Sequence, residues 1–243
     1  MNDDVHNMLN NASSFAASIL RLGFGTEIAA GSRVPDRRLI LYDFEACPFC
    51  RKAREALSHL GLEVKVRPAA RAGKRREELR KLGGKMMVPY LIDPNTGVAM
   101  YESDQIIRYL YNIYGSGVVP ALHRLGPLNS TLSFFATIMR PGKGSRVIGQ
   151  HVQSPRELLV LYNMESSPYC RKVREALTEL DLAYICKNAP RGSRAREQLL
   201  NEGSKVMVPF LIDPNHDVKM YESDQIVEYL YRTYYSNFTG WNA

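Results

Sequence analysis

Short apolar runs and stretches of helical periodicity alternate along this chain and define its predicted elements. The run at 38–44 suits a buried strand, and after it Ala53, Ala56 and Leu57 recur at the spacing of one helix face. The other predicted elements of this half are a strand at 63–67, a charged helix at 74–82, hairpin strands at 90–93 and 98–101, and an amphipathic helix at 103–114. The order β–α–β–α–β–β–α predicts a four-stranded mixed sheet covered by helices.

The whole pattern returns about 120 residues later, together with most of its residues. The segment LYDFEACPFCRKAREAL at 41–57 returns as LYNMESSPYCRKVREAL at 161–177. Two shorter segments are repeated in the same way, MMVPYLIDPN (86–95) as VMVPFLIDPN (206–215) and YESDQIIRYLY (101–111) as YESDQIVEYLY (221–231). A repeat of this length indicates a duplicated domain, because the units of solenoid proteins run roughly 20–50 residues.

The duplication divides the chain into two α/β domains, predicted at 38–116 and 158–238. The remaining segments are a leading helix and linker at 1–37, a linker with a second leading helix at 117–157, and a tail at 239–243. LNNASSFAASILR at 9–21 and LNSTLSFFATIMR at 128–140 are the two leading helices. Their apolar residues fall on one face, so we interpret them as packing helices that cover an apolar surface.

The net charge of +7 changes this picture little. Nucleic acid is not expected as a partner, because the charges are spread over the helices without an aromatic and glycine RNA-binding pattern. The densest basic cluster, Arg71, Lys74, Arg75 and Arg76, is interpreted as a solvated helix face, with attraction of small anions as the alternative. No apolar run approaches the roughly 18 residues of a membrane span, and the start of the chain is acidic. We therefore expect a cytoplasmic protein without stable membrane insertion.

Cys47 and Cys50, spaced C-x-x-C, are the residues best suited to chemistry. One such pair is not a complete structural zinc site, so no metal is predicted. Cys47 precedes a predicted helix, whose dipole and exposed N–H groups favour the thiolate, and Arg51 and Lys52 add positive charge nearby. Cys50 follows one turn later, close enough to resolve a mixed disulfide. The pattern therefore predicts a redox pair.

Three motifs occur in the same order in each half: the turn C-P-F-C (S-P-Y-C in the second half) after a strand, V-P before the third strand, and E-S-D at the start of a helix. Together they resemble the thioredoxin fold of glutaredoxins and of glutathione transferase N-terminal domains. The resemblance covers 38–114 and 158–234. The arrangement of two such domains in tandem is similar to that of a group of glutathione transferase N-terminal-like tandem proteins. It implies two tandem thioredoxin-like domains, each with a four-stranded mixed sheet, and glutathione as the ligand.

The resemblance also implies roles for residues of both halves. Pro89 and Pro209 match the cis-proline that faces the active-site turn, and the backbone before each of them would pair with the cysteinyl part of glutathione. The residues implied in this pairing are Val88, Pro89, Val208 and Pro209. The residues implied to hold the γ-glutamyl end are Glu102, Ser103, Glu222 and Ser223. Ser103 is also expected to cap its helix.

The second half departs from the pattern at its most reactive position, where Ser167 replaces Cys47. A serine hydroxyl cannot form a disulfide, so dithiol chemistry is lost there. This half is left with three roles: binding glutathione without turnover, stabilising the thiolate of glutathione through Ser167, or structural support. Cys186 is predicted to lie in the core.

Our leading hypothesis is a glutathione-dependent thiol–disulfide oxidoreductase in which Cys47 attacks disulfide substrates and Cys50 resolves. The first alternative is a glutathione transferase-like enzyme that conjugates electrophiles, although no all-helical domain of the usual size follows either copy. The second alternative is a non-catalytic glutathione-binding or scaffold protein. A homodimer is considered possible.

Overall fold

The computed structural model describes residues 26–124, 142–149 and 152–239. The predicted leading helices at 9–21 and 128–140 lie outside these residues. Within them, the elements of the first repeat are β1 (Leu39–Asp43), α1 (Pro48–His59), β2 (Glu63–Pro68), α2 (Arg75–Gly83), β3 (Tyr90–Asp93), β4 (Val98–Met100) and α3 (Ser103–Tyr114). A short helix, α4 (Ala121–Arg124), follows.

The second repeat has the same elements in the same order. They are β5 (Leu159–Asn163), α5 (Pro168–Glu179), β6 (Tyr184–Asn188), α6 (Arg194–Gly203), β7 (Phe210–Asp213), β8 (Val218–Met220) and α7 (Ser223–Tyr234). The predicted order of strands and helices is confirmed in both repeats. No helix among the described residues is long and apolar enough to cross a membrane.

Each repeat contributes four strands in the predicted mixed arrangement. In the first repeat β1 pairs in parallel with β2 and antiparallel with β3, and β3 pairs antiparallel with β4. The same pairings recur in the second repeat. The fold class of two thioredoxin-like α/β domains is therefore confirmed.

The two four-stranded sheets are joined into one, which the sequence pattern does not reveal. Strand β2 pairs antiparallel with β6, with Val64 opposite Cys186 and Lys65 opposite Ile185. The sheet has eight strands in the order β4-β3-β1-β2-β6-β5-β7-β8. Because the central pair relates equivalent strands, the repeats meet like the subunits of a two-fold dimer.

A buried group of four charged side chains also joins the repeats; we call Glu45, Arg54, Glu165 and Arg174 the ionic ring. Arg54 contacts Glu45 at 3.1 Å and Glu165 at 3.2 Å. Arg174 contacts Glu45 at 2.9 Å and Glu165 at 3.2 Å. All four are buried. Within the ring each arginine thus contacts one carboxylate of its own repeat and one of the other, as buried charges require partners.

The segments that precede the repeats clasp them reciprocally. The N–H of Ile28 donates to the carbonyl of Arg191 at 3.0 Å, and the N–H of Arg191 donates to Thr26 at 2.7 Å. At the equivalent place, Arg71 donates to Ser145 at 3.2 Å, and Val147 donates to Arg71 at 3.0 Å. Each leading segment therefore bonds to the repeat that it does not precede.

The expected solvated face of the basic cluster needs a correction at Arg75. This side chain crosses to the second repeat and contacts the carboxylate of Asp181 at 2.5 Å. Both side chains are largely buried, so Arg75 serves the contact between the repeats instead of presenting its charge to solvent.

Replacing Arg174 by Met should strongly destabilise the protein. The change leaves Glu45 and Glu165 buried with one ring cation fewer, which costs about 3–5 kcal/mol. The exposed Arg232, which contacts Glu228 at 2.6 Å, gives a control, because Arg232→Ala should cost less than about 1 kcal/mol. The free energy of unfolding in denaturant measures both variants. Equal losses would contradict a stabilising ring.

The ring should also make stability depend on pH in the acid range. Burial alone would raise the pKa of Glu45, but the guanidinium groups of Arg174 and Arg54 outweigh it and lower this pKa to about 2. A lowered folded-state pKa contributes stability above the unfolded value, about 4.5, that is lost as the pH falls towards about 2. The difference in melting temperature between the wild type and Glu45→Gln should therefore shrink below about pH 4.5. A difference that stays constant would contradict this assignment.

Candidate functional site

Cys47 caps the N-terminus of α1 in the turn that follows β1. Its backbone is extended, with φ −87° and ψ 117°, and Pro48 begins the helix. The Cys47 N–H donates to the carbonyl of Phe44 at 3.1 Å, and the Cys47 Sγ accepts from the N–H of Cys50 at 3.2 Å. Cys47 is 4% exposed and Cys50 is fully buried. The turn therefore brings both predicted redox residues together and leaves only Cys47 with contact to solvent.

The two thiols have opposite acidities. The hydrogen bond from the Cys50 thiol is the main cause that lowers the pKa of Cys47; burial opposes it, and the Cys50 N–H and Arg54 support it. Burial, followed by the interaction with Cys47, raises the pKa of Cys50 well above its usual value. The pair can therefore hold one thiolate and one thiol, and the thiolate is the nucleophile.

The cation beside Cys47 is not the one predicted. Arg51 contacts Glu55 at 3.3 Å, and Lys52 forms an ion pair with Asp104. Besides the larger effect of the Cys50 thiol, the cation that lowers the pKa of Cys47 is Arg54, a member of the ionic ring. Sequence reasoning missed Arg54 because its position depends on the second repeat.

The V-P motifs lie next to the Cys47 turn and its counterpart. The peptide bonds Val88–Pro89 and Val208–Pro209 are both cis, as the resemblance implies. In the antiparallel β1–β3 pair Tyr42 lies opposite Tyr90. Pro89 and Val88, which precede β3, therefore lie beside the end of β1, where the turn to Cys47 begins. Val88 is half-buried and Pro89 is buried, and Val208 and Pro209 match them.

The predicted capping role of Ser103 is wrong. Glu102 occupies the cap position of α3, without a side-chain capping bond, and Ser103 is the first helical residue. Glu102 and Glu222 both have φ 66° and ψ 108°. This left-handed φ is costly for a residue with a side chain, about 1–3 kcal/mol, and such strain clusters at functional sites. The strain recurs in both repeats at the residues implied to hold glutathione.

A buried lysine ties each E-S-D motif to the helix that follows the candidate turn, and sequence reasoning predicted neither ion pair. Lys52 in the second turn of α1 pairs with Asp104 in the first turn of α3, and Lys172 pairs with Asp224 in the second repeat. The lysines are buried, whereas the aspartates are more than half exposed. The recurrence of both residues in the two copies is the signal that could have found them. These pairs bring Glu102–Ser103 and Glu222–Ser223 close to their turns.

The second copy retains the architecture without the nucleophile. Ser167 caps α5, and its Oγ accepts from the N–H of Cys170 at 3.3 Å. Cys170 is fully buried, and burial raises its pKa. Cys186 lies in the core, as predicted, and burial raises its pKa as well. Among the described residues no group of His, Cys, Asp or Glu could hold a metal ion.

Exposed apolar side chains occur in both candidate sites, at the start of α1 or α5 and in the loop before each V-P motif. In the first repeat they are Phe49, Met86 and Met87, and in the second they are Tyr169, Val206 and Met207. Phe49 and Tyr169, inside the two turns, are 51% and 50% exposed. Each candidate site therefore has exposed apolar side chains next to its turn and its V-P motif.

The fold and the paired sites define a tandem protein of the thioredoxin superfamily. The family model for the glutathione S-transferase N-terminal domain matches residues 41–122 and 161–237, so the chain belongs to that family, with one such domain in each repeat. This membership associates the chain with glutathione-related function.

A solved structure from Leishmania, described as TDR1, a unique trimeric glutathione transferase, is also similar. It shares 15% sequence identity, and the match covers 82% of this chain and 67% of that chain with a TM-score of 0.28. At this TM-score the likeness carries no argument about the site. No curated protein matches the chain.

Replacing Cys50 by Ala should raise the pKa of Cys47, because it removes the thiol that donates to its sulfur. We expect the pH midpoint for alkylation of Cys47 by iodoacetamide, followed by mass spectrometry, to rise by about one unit. Cys50→Ser is the matched control, since its hydroxyl can still donate and the midpoint should stay lower. Equal midpoints in the two variants would contradict the role of the side-chain hydrogen bond.

Proposed function

We propose that the chain is a glutathione-dependent thiol–disulfide oxidoreductase of glutaredoxin type, active in the first repeat. One observation carries the proposal: Cys47 caps α1 with a lowered pKa, and Cys50, one turn later, is buried with a raised pKa. A thiolate beside a protonated thiol is the arrangement that attacks a disulfide and then resolves it.

The reaction proceeds by two thiol–disulfide exchanges. The Cys47 thiolate attacks a glutathione mixed disulfide at the glutathione sulfur, and the substrate leaves as a thiolate that takes a proton. Cys50 then loses its proton and attacks Cys47, which releases reduced glutathione and leaves a Cys47–Cys50 disulfide. Two further glutathione molecules reduce this disulfide and become glutathione disulfide. The cytoplasm, with its pool of reduced glutathione, is the proposed compartment.

Glutathione is proposed to lie along the residues that surround Cys47. Its cysteinyl backbone pairs with Val88 before Pro89, and its γ-glutamyl end lies at Glu102 and Ser103. The start of α3 supports this role, because a helix N-terminus favours a carboxylate. In the second repeat Val208, Pro209, Glu222 and Ser223 would bind glutathione in the same way beside Ser167. We propose that the second site binds or supports without redox turnover.

Replacing Cys47 by Ser should abolish the reduction of a glutathionylated peptide. The variant reproduces the Ser–Pro–x–Cys turn of the second repeat, which folds in this same chain, so loss of structure is not expected. The assay couples formation of glutathione disulfide to glutathione reductase and NADPH. Ser167→Ala is the matched control, and it should keep reductase activity close to that of the wild type.

The same variants separate the proposal from its rivals. Undiminished reduction in Cys47→Ser would end the proposal. Conjugation of glutathione to an electrophile that survives Cys47→Ser but not Ser167→Ala would identify a transferase instead. Glutathione binding without either activity in the wild type would identify a binding protein.

A further inference from the structure

The two active-site segments differ in charge at one position. Between 41–57 and 161–177 the residues that change identity include Cys47, which becomes Ser167, and Asp43, which becomes Asn163. Every other charged residue of the first segment is retained in the second. The carboxylate is therefore present in the repeat that has the thiol pair and absent from the repeat that lacks it.

Asp43 is a buried carboxylate that is bonded to the turn through Arg54. It ends β1, and its Oδ2 accepts from Arg54 Nη1 at 2.7 Å. The same guanidinium lies 3.4 Å from the carbonyl of Phe44 and 3.3 Å from the carbonyl of Glu45. Arg54 thus connects Asp43 with the backbone that leads to Cys47.

The equivalent amide has a different environment. Asn163 accepts from Arg174 at 2.6 Å and donates to Asn188 at 2.9 Å, and Asn188 donates to the carbonyl of Leu62 at 2.9 Å. In the first repeat the residue opposite Asp43 is Pro68, which has no polar side chain. The second repeat therefore has a neutral amide chain where the first has a buried negative charge.

We propose that Asp43 is a positioning residue for the Cys47–Cys50 pair: it fixes Arg54 against the turn that leads to Cys47 and adds a carboxylate at the end of β1, where this turn begins. The effect of Asp43 on the two thiols does not require the proposed function. Only the role of Asp43 in catalysis rests on the proposed reductase activity. Burial raises the pKa of Asp43, and the 2.7 Å hydrogen bond from Arg54 opposes this and favours the carboxylate. As a carboxylate, Asp43 favours the protonated form of both cysteines, opposing Arg54. A dithiol whose thiolate is less stabilised is a stronger reductant. Asp43 therefore makes the Cys47–Cys50 dithiol a stronger reductant of its substrates.

Several ionisable groups other than the two thiols share this environment. The groups whose charges interact with Asp43 are Arg54 of α1, Glu45 and Glu165 of the two turns, and Tyr184 and Cys186 of β6. Arg54, Glu45 and Glu165 have equivalents placed symmetrically about the ionic ring. The counterparts of Tyr184 and Cys186 are Val64 and Val66, but burial raises the pKa of both side chains and keeps them neutral. None of these groups therefore accounts for a difference in charge between the repeats. Asp43 does, because its counterpart is neutral.

Replacing Asp43 by Asn tests the proposal, with Asn163→Asp as the matched control. In Asp43→Asn the pH midpoint for alkylation of Cys47 should fall by about one unit, because a buried negative charge is removed. The equilibrium in which two glutathione thiols reduce the Cys47–Cys50 disulfide should move up to about tenfold toward the dithiol. Asn163→Asp should change neither quantity.

A second variant guards against loss of structure. Asp43→Asn combined with Pro68→Asn recreates the amide pair that Asn163 and Asn188 form in this fold, and it should show the same two shifts. An unchanged or raised midpoint in both variants, or an equal shift in Asn163→Asp, would overturn the proposal. Neither readout requires turnover, so a protein without reductase activity would refute the proposed function while these measurements still decided the role of Asp43.

Discussion

The need to pair charges that are buried where the repeats meet is the constraint on which the rest of this structure depends. Arg54 and Arg174 are both buried, and each contacts a carboxylate of the other repeat. The same contact aligns β2 with β6 and places Arg54 beside the Cys47 turn. Removing one member of the ionic ring leaves a buried charge without its partner. The ring, the joined sheet and the Cys47 turn therefore depend on one another.

The duplication kept the architecture of the candidate site but left the C-x-x-C pair in the first repeat alone. Both copies have the cis-proline, the strained glutamate and the buried lysine that ties α3 or α7 to the active-site helix. The differences include Cys47 and Asp43, which are replaced by Ser167 and Asn163 in the second copy. A copy that has lost its nucleophile can retain such a scaffold because its buried side chains also support the other copy.

Much of the fold follows from the sequence because it depends on local periodicity. The bounds of β3 and α3 were predicted as observed, since a hairpin signal and an amphipathic pattern mark them. The role of Ser103 was not, because the letters E-S-D do not reveal that Glu102 adopts φ 66° and takes the cap position. In the sequence, Arg54 is one of several polar residues on a helix. Its burial beside the Cys47 turn depends on its contact with Glu165 of the second repeat. Local elements were thus predictable, whereas features created by contact between the repeats were not.

The reciprocal clasp has a consequence for synthesis of the chain. Residues near Thr26 leave the ribosome long before Arg191, the residue whose backbone they bond. The first repeat is therefore exposed during translation with an open β2 edge and with Arg54 lacking Glu165. Such an unpaired edge can join another nascent chain as readily as its own second half. The time between synthesis of the two halves is thus the period in which this protein is most vulnerable to misassembly.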